Sequence, residues 1–201
     1  PATASDLLAL VEYLGAPAVL VGTSMGASSA LLAAAERPDL VRGLVLLSPF
    51  VRNAPRNPAF LRMLYRVLFA RPWGVAAWTA YYAGTLNAGR KAGDHAEHVA
   101  ELGASLRRPG RLADFRRLTL ELDHSPVEAR LGEVDAPALA VIGALDPDYR
   151  DPGAELAHVA DVLPQAHTML VDEAAHYPHR QRPDIVLPAV CAFVAEVTAR
   201  A

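Results

Sequence analysis

Apolar residues recur along this chain in two rhythms. Over residues 5–14 they fall at Leu7, Leu8, Leu10, Val11 and Leu14, one face of a helix that Gly15-Ala16-Pro17 ends. Ala18-Val19-Leu20-Val21 then reads as a strand, and the alanine-rich residues 27–36 as a helix stopped at Arg37-Pro38. Leu44-Val45-Leu46-Leu47, closed by Ser48-Pro49, is a second strand, almost wholly apolar as expected where both faces of a sheet are covered. Two more short apolar runs, Ala138-Leu139-Ala140-Val141-Ile142 and Thr168-Met169-Leu170-Val171, flank a helical stretch over 152–163, and a last helix is expected over 184–198. Strands alternating with helices predict an α/β fold, a mostly parallel sheet with helices on both faces.

Residues 51–130 break that alternation. They hold helical and aromatic segments, at 60–69 and 73–86, with no convincing strand; the prolines at 55, 58, 72 and 109 punctuate helices rather than separate domains. The expected organisation is core at 1–50, an inserted helical cap at 51–130 and core again at 131–201.

Chemistry enters at the first strand's end. Gly22-Thr23-Ser24-Met25-Gly26 stands between strand and helix, the setting of a nucleophile elbow, where a reactive serine occupies a strained corner. The flanking glycines are expected to let the two backbones approach. The bland alternative is a turn in which Ser24 only caps the helix. A serine hydroxyl needs a base to take its proton, and the base an acid to orient it. Asp146 follows the third strand in Gly143-Ala144-Leu145-Asp146, and His176 follows the fourth in Asp172-Glu173-Ala174-Ala175-His176. Strand ends on one sheet edge are where functional groups gather. Asp148 and Asp151 share the acid's loop; turn formation and helix capping are their plainer roles.

The order serine, acid, histidine, with the last two 30 positions apart, accommodates one helix and one strand. Through Gly22-Thr23-Ser24-Met25-Gly26, Gly143-Ala144-Leu145-Asp146 and Ala174-Ala175-His176-Tyr177-Pro178, the chain resembles the serine-nucleophile branch of the α/β-hydrolase superfamily over nearly its whole length. The resemblance implies that Ser24 attacks an acyl carbonyl, His176 shuttles the proton, Asp146 holds His176, and the Met25 N–H donates to the oxyanion. A serine rather than an aspartate at the elbow disfavours the haloalkane dehalogenase and epoxide hydrolase branches. The resemblance also implies a second oxyanion donor from a loop well before the elbow, commonly introduced by His-Gly. No such loop precedes Ser24, so the sequence is expected to be the C-terminal part of a longer protein, its first strand an apolar unpaired edge, and this stretch alone weak or inactive.

Acyl hydrolysis of carboxylic esters or related substrates is therefore the leading expectation. Carbon-carbon bond hydrolysis, cofactor-free perhydrolysis and a slow-turnover ligand receptor or signalling role share the same residues and stay open. Trp78, Tyr81 and Tyr82, with Leu86, fall on one helical face; they either pack the cap or line an acyl pocket, which favours an apolar or aromatic small-molecule substrate.

Composition narrows the partners. Hydrophobic residues make up 52% of 201, enough for one substantial core with an insertion, and a net charge of -3 with scattered arginines gives no nucleic-acid footprint. His176 and His179 form an H-x-x-H pair without a well-spaced third ligand, so neither metal nor other cofactor is expected. His95 and His98 read as a solvated helix face. Cys191, the single cysteine, reads as an inert buried thiol beside Val190, Phe193 and Val194. No apolar stretch reaches the roughly 18 residues of a membrane span, and no signal-peptide pattern opens the sequence, which leaves a cytoplasmic location by default.

Overall fold

Residues 44–47 carry no polar position because the strand they form is covered on both sides. In the computed structural model, which describes residues 2–53 and 58–199, that strand is β2 (Val41–Leu47). It pairs with β1 (Ala18–Thr23) and β3 (Ala138–Gly143), and β4 (Ala166–Val171) completes a sheet of order β1-β2-β3-β4. Every pairing is parallel. All four strands thus release their C-terminal ends on one edge, the edge that carries Ser24, Ser48, Asp146 and the loop to His176.

Side chains alternate between two cores, as period-2 geometry requires. Leu44 and Leu46 point into the larger one, with Ala4, Leu8 and Val11 of α1 (Ala2–Leu14), Leu31 of α2 (Met25–Glu36), and Leu156 and Val159 of α8 (Pro152–Val162). Val45 and Leu47 point the other way, onto Val186, Phe193 and Val197 of α10 (Pro183–Ala199). Gly43 owes its lack of a side chain to this second layer, because a Cβ there would lie 3.2 Å from Val197. β1 and β4 are the edge strands, and Val21 of β1 is exposed.

Between β2 and β3 the described residues form helices and loops but no strand: α3 (Pro58–Leu68), α4 (Gly74–Gly84), α5 (His95–Arg107), α6 (Arg111–Glu121), the short α7 (Ser125–Glu128) and a 3-10 turn at Leu131–Glu133. The sequence expected this helical stretch; Pro55 lies outside the described residues. A last short helix, α9 (Pro178–Gln181), precedes α10. Among the described residues no helix is long and apolar enough to cross a membrane.

Two expectations need correction. Cys191 is exposed. The buried stripe of α10 runs through Val186, Phe193 and Val197, and Cys191 lies about 200° around the helix from Phe193, on the outer face. His95 and His98 are half-buried rather than solvated, and the His98 ring packs 5.6 Å from that of Tyr82.

Candidate active site

Ser24 sits at the corner between β1 and α2 with φ 58° and ψ -124°, a conformation that costs an L-residue about 1–3 kcal/mol. Its N–H is tied to the Leu47 carbonyl at 2.8 Å, which fixes the corner to β2. Its side chain makes no capping hydrogen bond to α2, so the helix does not account for the hydroxyl. The close approach expected of the glycines holds at Gly22, where a Cβ would meet Gly26 at 2.5 Å and the Ala27 nitrogen at 2.6 Å. It does not hold at Gly26, whose Cβ would meet nothing within 4 Å. Met25 opens α2, and the first N–H groups of a helix have no intrahelical acceptor, leaving its amide available to an oxyanion.

His176 and Asp146 are both buried, and Nδ1 of His176 lies 2.9 Å from Oδ2 and 3.2 Å from Oδ1 of Asp146. With a carboxylate as partner, Nδ1 carries the proton and Nε2 is the free base. Among the described residues no hydrogen bond joins Ser24 to His176. Burial alone pushes the imidazole pKa down. The hydrogen bond that Nδ1 donates to Asp146 and the charges of Asp146 and Asp148 outweigh it, and the net effect is upward. Asp148 also approaches Nδ1, its Oδ2 at 3.3 Å. Asp151 caps α8 by accepting from the Ala154 N–H at 3.0 Å. Asp146, Asp148 and His176 place ligand atoms within 4.8 Å of one another, an arrangement that the carboxylate–imidazole pairing already explains.

The loops are tied together by groups that the motifs did not single out. Gly143 ends β3 where a Cβ would collide with the Ala174 and Ala175 carbonyls, so the acid and histidine loops touch through backbone. Gln181 is fully buried; its Oε1 accepts from the Ala175 N–H at 2.8 Å and its Nε2 donates to the Ala88 and Arg90 carbonyls at 2.8 and 2.7 Å. The His176 N–H bonds the Leu86 carbonyl at 3.1 Å, and the Arg90 N–H that of Glu173 at 2.8 Å. Segment 86–90 between α4 and α5 therefore supports the histidine. A glutamine in a short polar helix gives no sequence signal for this.

Phe50, just after β2, stacks on His176 at 5.9 Å and packs against His124 at 4.9 Å; its carbonyl accepts from Ser28 Oγ at 2.7 Å. Burial pushes the His124 imidazole down, toward the neutral form. Phe50, Arg52, Asp148, Tyr149, Arg150 and Ala154 are among the residues that line a groove of about 250 Å³. Trp78, Tyr81 and Tyr82 do not line it. Trp78 packs on Phe69, Phe115 and Tyr81 at 5.5, 4.9 and 5.7 Å, within the helical layer. Tyr82 faces the site indirectly: its ring lies 5.2 Å from Tyr177, which meets His176 edge-on at 5.1 Å.

A family model described as the alpha/beta hydrolase family matches residues 1–189. Human monoglyceride lipase is 43% identical over 53 residues, which cover 26% of this chain and 18% of the lipase. The 2-(acetamidomethylene)succinate hydrolase of Mesorhizobium japonicum is 27% identical over 217 residues, 95% of this chain and 69% of that protein. The solved structure of MGS-M2, an alpha/beta hydrolase enzyme from a Medee basin deep-sea metagenome library, superposes with a TM-score of 0.78 at 21% identity, over 96% of this chain and 70% of that one, a likeness of fold. The chain thus spans less than a fifth of the lipase and about seven tenths of the other two.

Proposed function

The chain belongs to the alpha/beta hydrolase family, and from that premise we propose that it is a serine hydrolase that cleaves carboxylic esters or related acyl compounds through Ser24, His176 and Asp146. The observation that carries this reading is the pairing of a strained, uncapped Ser24 with a buried His176–Asp146 couple on the same edge of a parallel sheet. Strain of this kind persists where it presents a reacting group, and a buried carboxylate on Nδ1 makes Nε2 a base.

In this mechanism Ser24 Oγ attacks the acyl carbonyl while His176 Nε2 takes its proton. The imidazolium that forms is stabilised by Asp146, and the Met25 N–H donates to the oxyanion. Collapse of the tetrahedral intermediate expels the alcohol, which takes the proton from His176. Water then attacks the acyl-enzyme with His176 again as base, and the acid leaves with Ser24 restored. The route needs no cofactor. The helices of residues 51–130 serve as a cap, and the apolar or aromatic part of a small substrate rests on Phe50 and Tyr149 in the groove.

Treating the purified protein and its Ser24→Ala variant with a fluorophosphonate and locating the label by peptide mass tests the assignment. Label on the Ser24 peptide, absent in the variant, together with ester turnover lost in the variant, is the expected result. A folded protein that takes no label, or a variant that keeps turnover, overturns it.

A further inference from the structure

Two carboxylates, not one, converge on the histidine. Asp146 holds Nδ1 of His176 at 2.9 Å with its side chain fully buried. Asp148 brings Oδ2 to 3.3 Å of the same nitrogen, with its side chain 30% exposed. The turn between them does not account for that carboxylate, because the turn is closed by the Asp148 backbone N–H, which donates to Asp146 Oδ1 at 3.1 Å. Any residue but proline would supply that bond. The aromatic groups against the ring are the stacked Phe50, the edge-on Tyr177 and, beyond Tyr177, His179, and among the described residues the charges that raise its pKa are those of Asp146 and Asp148, both from this loop.

We propose that Asp148 is a second positioning carboxylate, which acts through its charge on the Nδ1 of His176 while Asp146 takes the hydrogen bond, and which stabilises the imidazolium formed when Ser24 gives up its proton. No proton leaves Nδ1 in this scheme; the nitrogen keeps its hydrogen. The role in turnover rests on the serine hydrolase reading, whereas the hold on His176 does not. An opposite charge within about 4–6 Å favours the charged form of an imidazole, and the effect grows as water is removed. Asp148 also lines the groove beside Phe50 and Tyr149. A substrate seated there covers its exposed part, so Asp148 pulls harder on His176 in the complex than in the free protein.

Asp148→Asn keeps the shape and the backbone bond and removes the charge. NMR titration of the His176 ring, identified among the seven histidines by its absence in His176→Gln, reads the effect without turnover. The expected result is titration at lower pH in Asp148→Asn by about 0.5–1 pH unit. In ester turnover the acid limb of the rate profile moves the same way, further in kcat than in kcat/KM, and the plateau kcat falls about 3- to 10-fold. Asp146→Asn loses more, and the double variant loses what activity Asp146→Asn retains. An unchanged His176 titration in Asp148→Asn overturns the proposal even if kcat falls, because a residue that only shapes the turn alters rate without altering titration. Should Asp148→Asn fold poorly, Asp148→Ser removes the same charge and is read in the same way. Ester turnover that survives Ser24→Ala while the titration still shifts rejects the hydrolase reading and leaves the hold of Asp148 on His176 standing.

Discussion

Gly22 passes so close to Gly26 that a Cβ on Gly22 would lie 2.5 Å from the Gly26 carbonyl, whereas a Cβ on Gly26 would meet nothing within 4 Å. The two glycines of the elbow therefore differ in what they do. Gly22→Ala must push backbone against backbone and is expected to cost about 1–3 kcal/mol, with loss of fluorophosphonate labelling as Ser24 shifts. Gly26→Ala, inside α2, is expected to be neutral or slightly stabilising, within about 1 kcal/mol. Urea unfolding of both variants checks this, and equal losses would contradict it.

Gln181 gives up three hydrogen bonds at once if it is truncated. Gln181→Ala leaves the Ala175 N–H and the Ala88 and Arg90 carbonyls without their partner in a buried place, at about 1–3 kcal/mol for each group that water cannot reach. We expect a fall in unfolding free energy of about 2–4 kcal/mol, together with a lower kcat as the histidine loop loosens. Gln181→Glu keeps the acceptor and loses the donors, so it should fall between wild type and alanine.

The titration of His176 sets two opposite pH dependences. Its pKa in the folded protein is raised: burial lowers it, but Asp146 and Asp148 raise it more. Only the neutral ring can accept the Ser24 proton, so kcat/KM should fall as pH drops through a value above about 6.5, the ordinary histidine pKa. Stability runs the other way. A raised folded pKa contributes stability that is fully present below the unfolded value and lost as pH rises through the folded one. The difference in unfolding free energy between wild type and His176→Gln should thus shrink as pH rises above about 6.5 while activity grows. A difference that widened with pH would contradict the assignment.

Trp78 and Tyr82 share a helix but not their neighbours. Trp78 packs on Phe69 and Phe115, so Trp78→Ala should cost about 2–4 kcal/mol of stability and leave KM for small esters nearly unchanged. Tyr82 leans on Tyr177 beside His176, and Tyr82→Ala should lower kcat about 3- to 10-fold through a less rigid histidine loop. Steady-state kinetics on both variants separates the two; a large KM rise in Trp78→Ala would return that residue to the substrate pocket.

The strands, the helices between them and the chain order of the candidate site were legible along the sequence. Each depends on local pattern: period-2 and period-3.6 hydrophobicity, a glycine-framed serine at a strand end, and acid and histidine after later strands. The strand that reads Leu44-Val45-Leu46-Leu47 lies in the sheet interior because a strand with no polar position has no face to give to water. Contacts made across the fold left no such trace. That the Asp148 carboxylate comes within 3.3 Å of His176 Nδ1 and that Gln181 clamps segment 86–90 depend on where separate loops meet. Helical phase alone exposed Cys191, since its apolar neighbours in sequence point in other directions around α10. Trp78, Tyr81 and Tyr82 share one side of α4, yet only the tertiary packing gave Trp78 to the helical layer and Tyr82 to the histidine loop. A sequence fixes which way a side chain leaves its own element, but what it meets there is set by the elements packed against it, and these are distant along the chain.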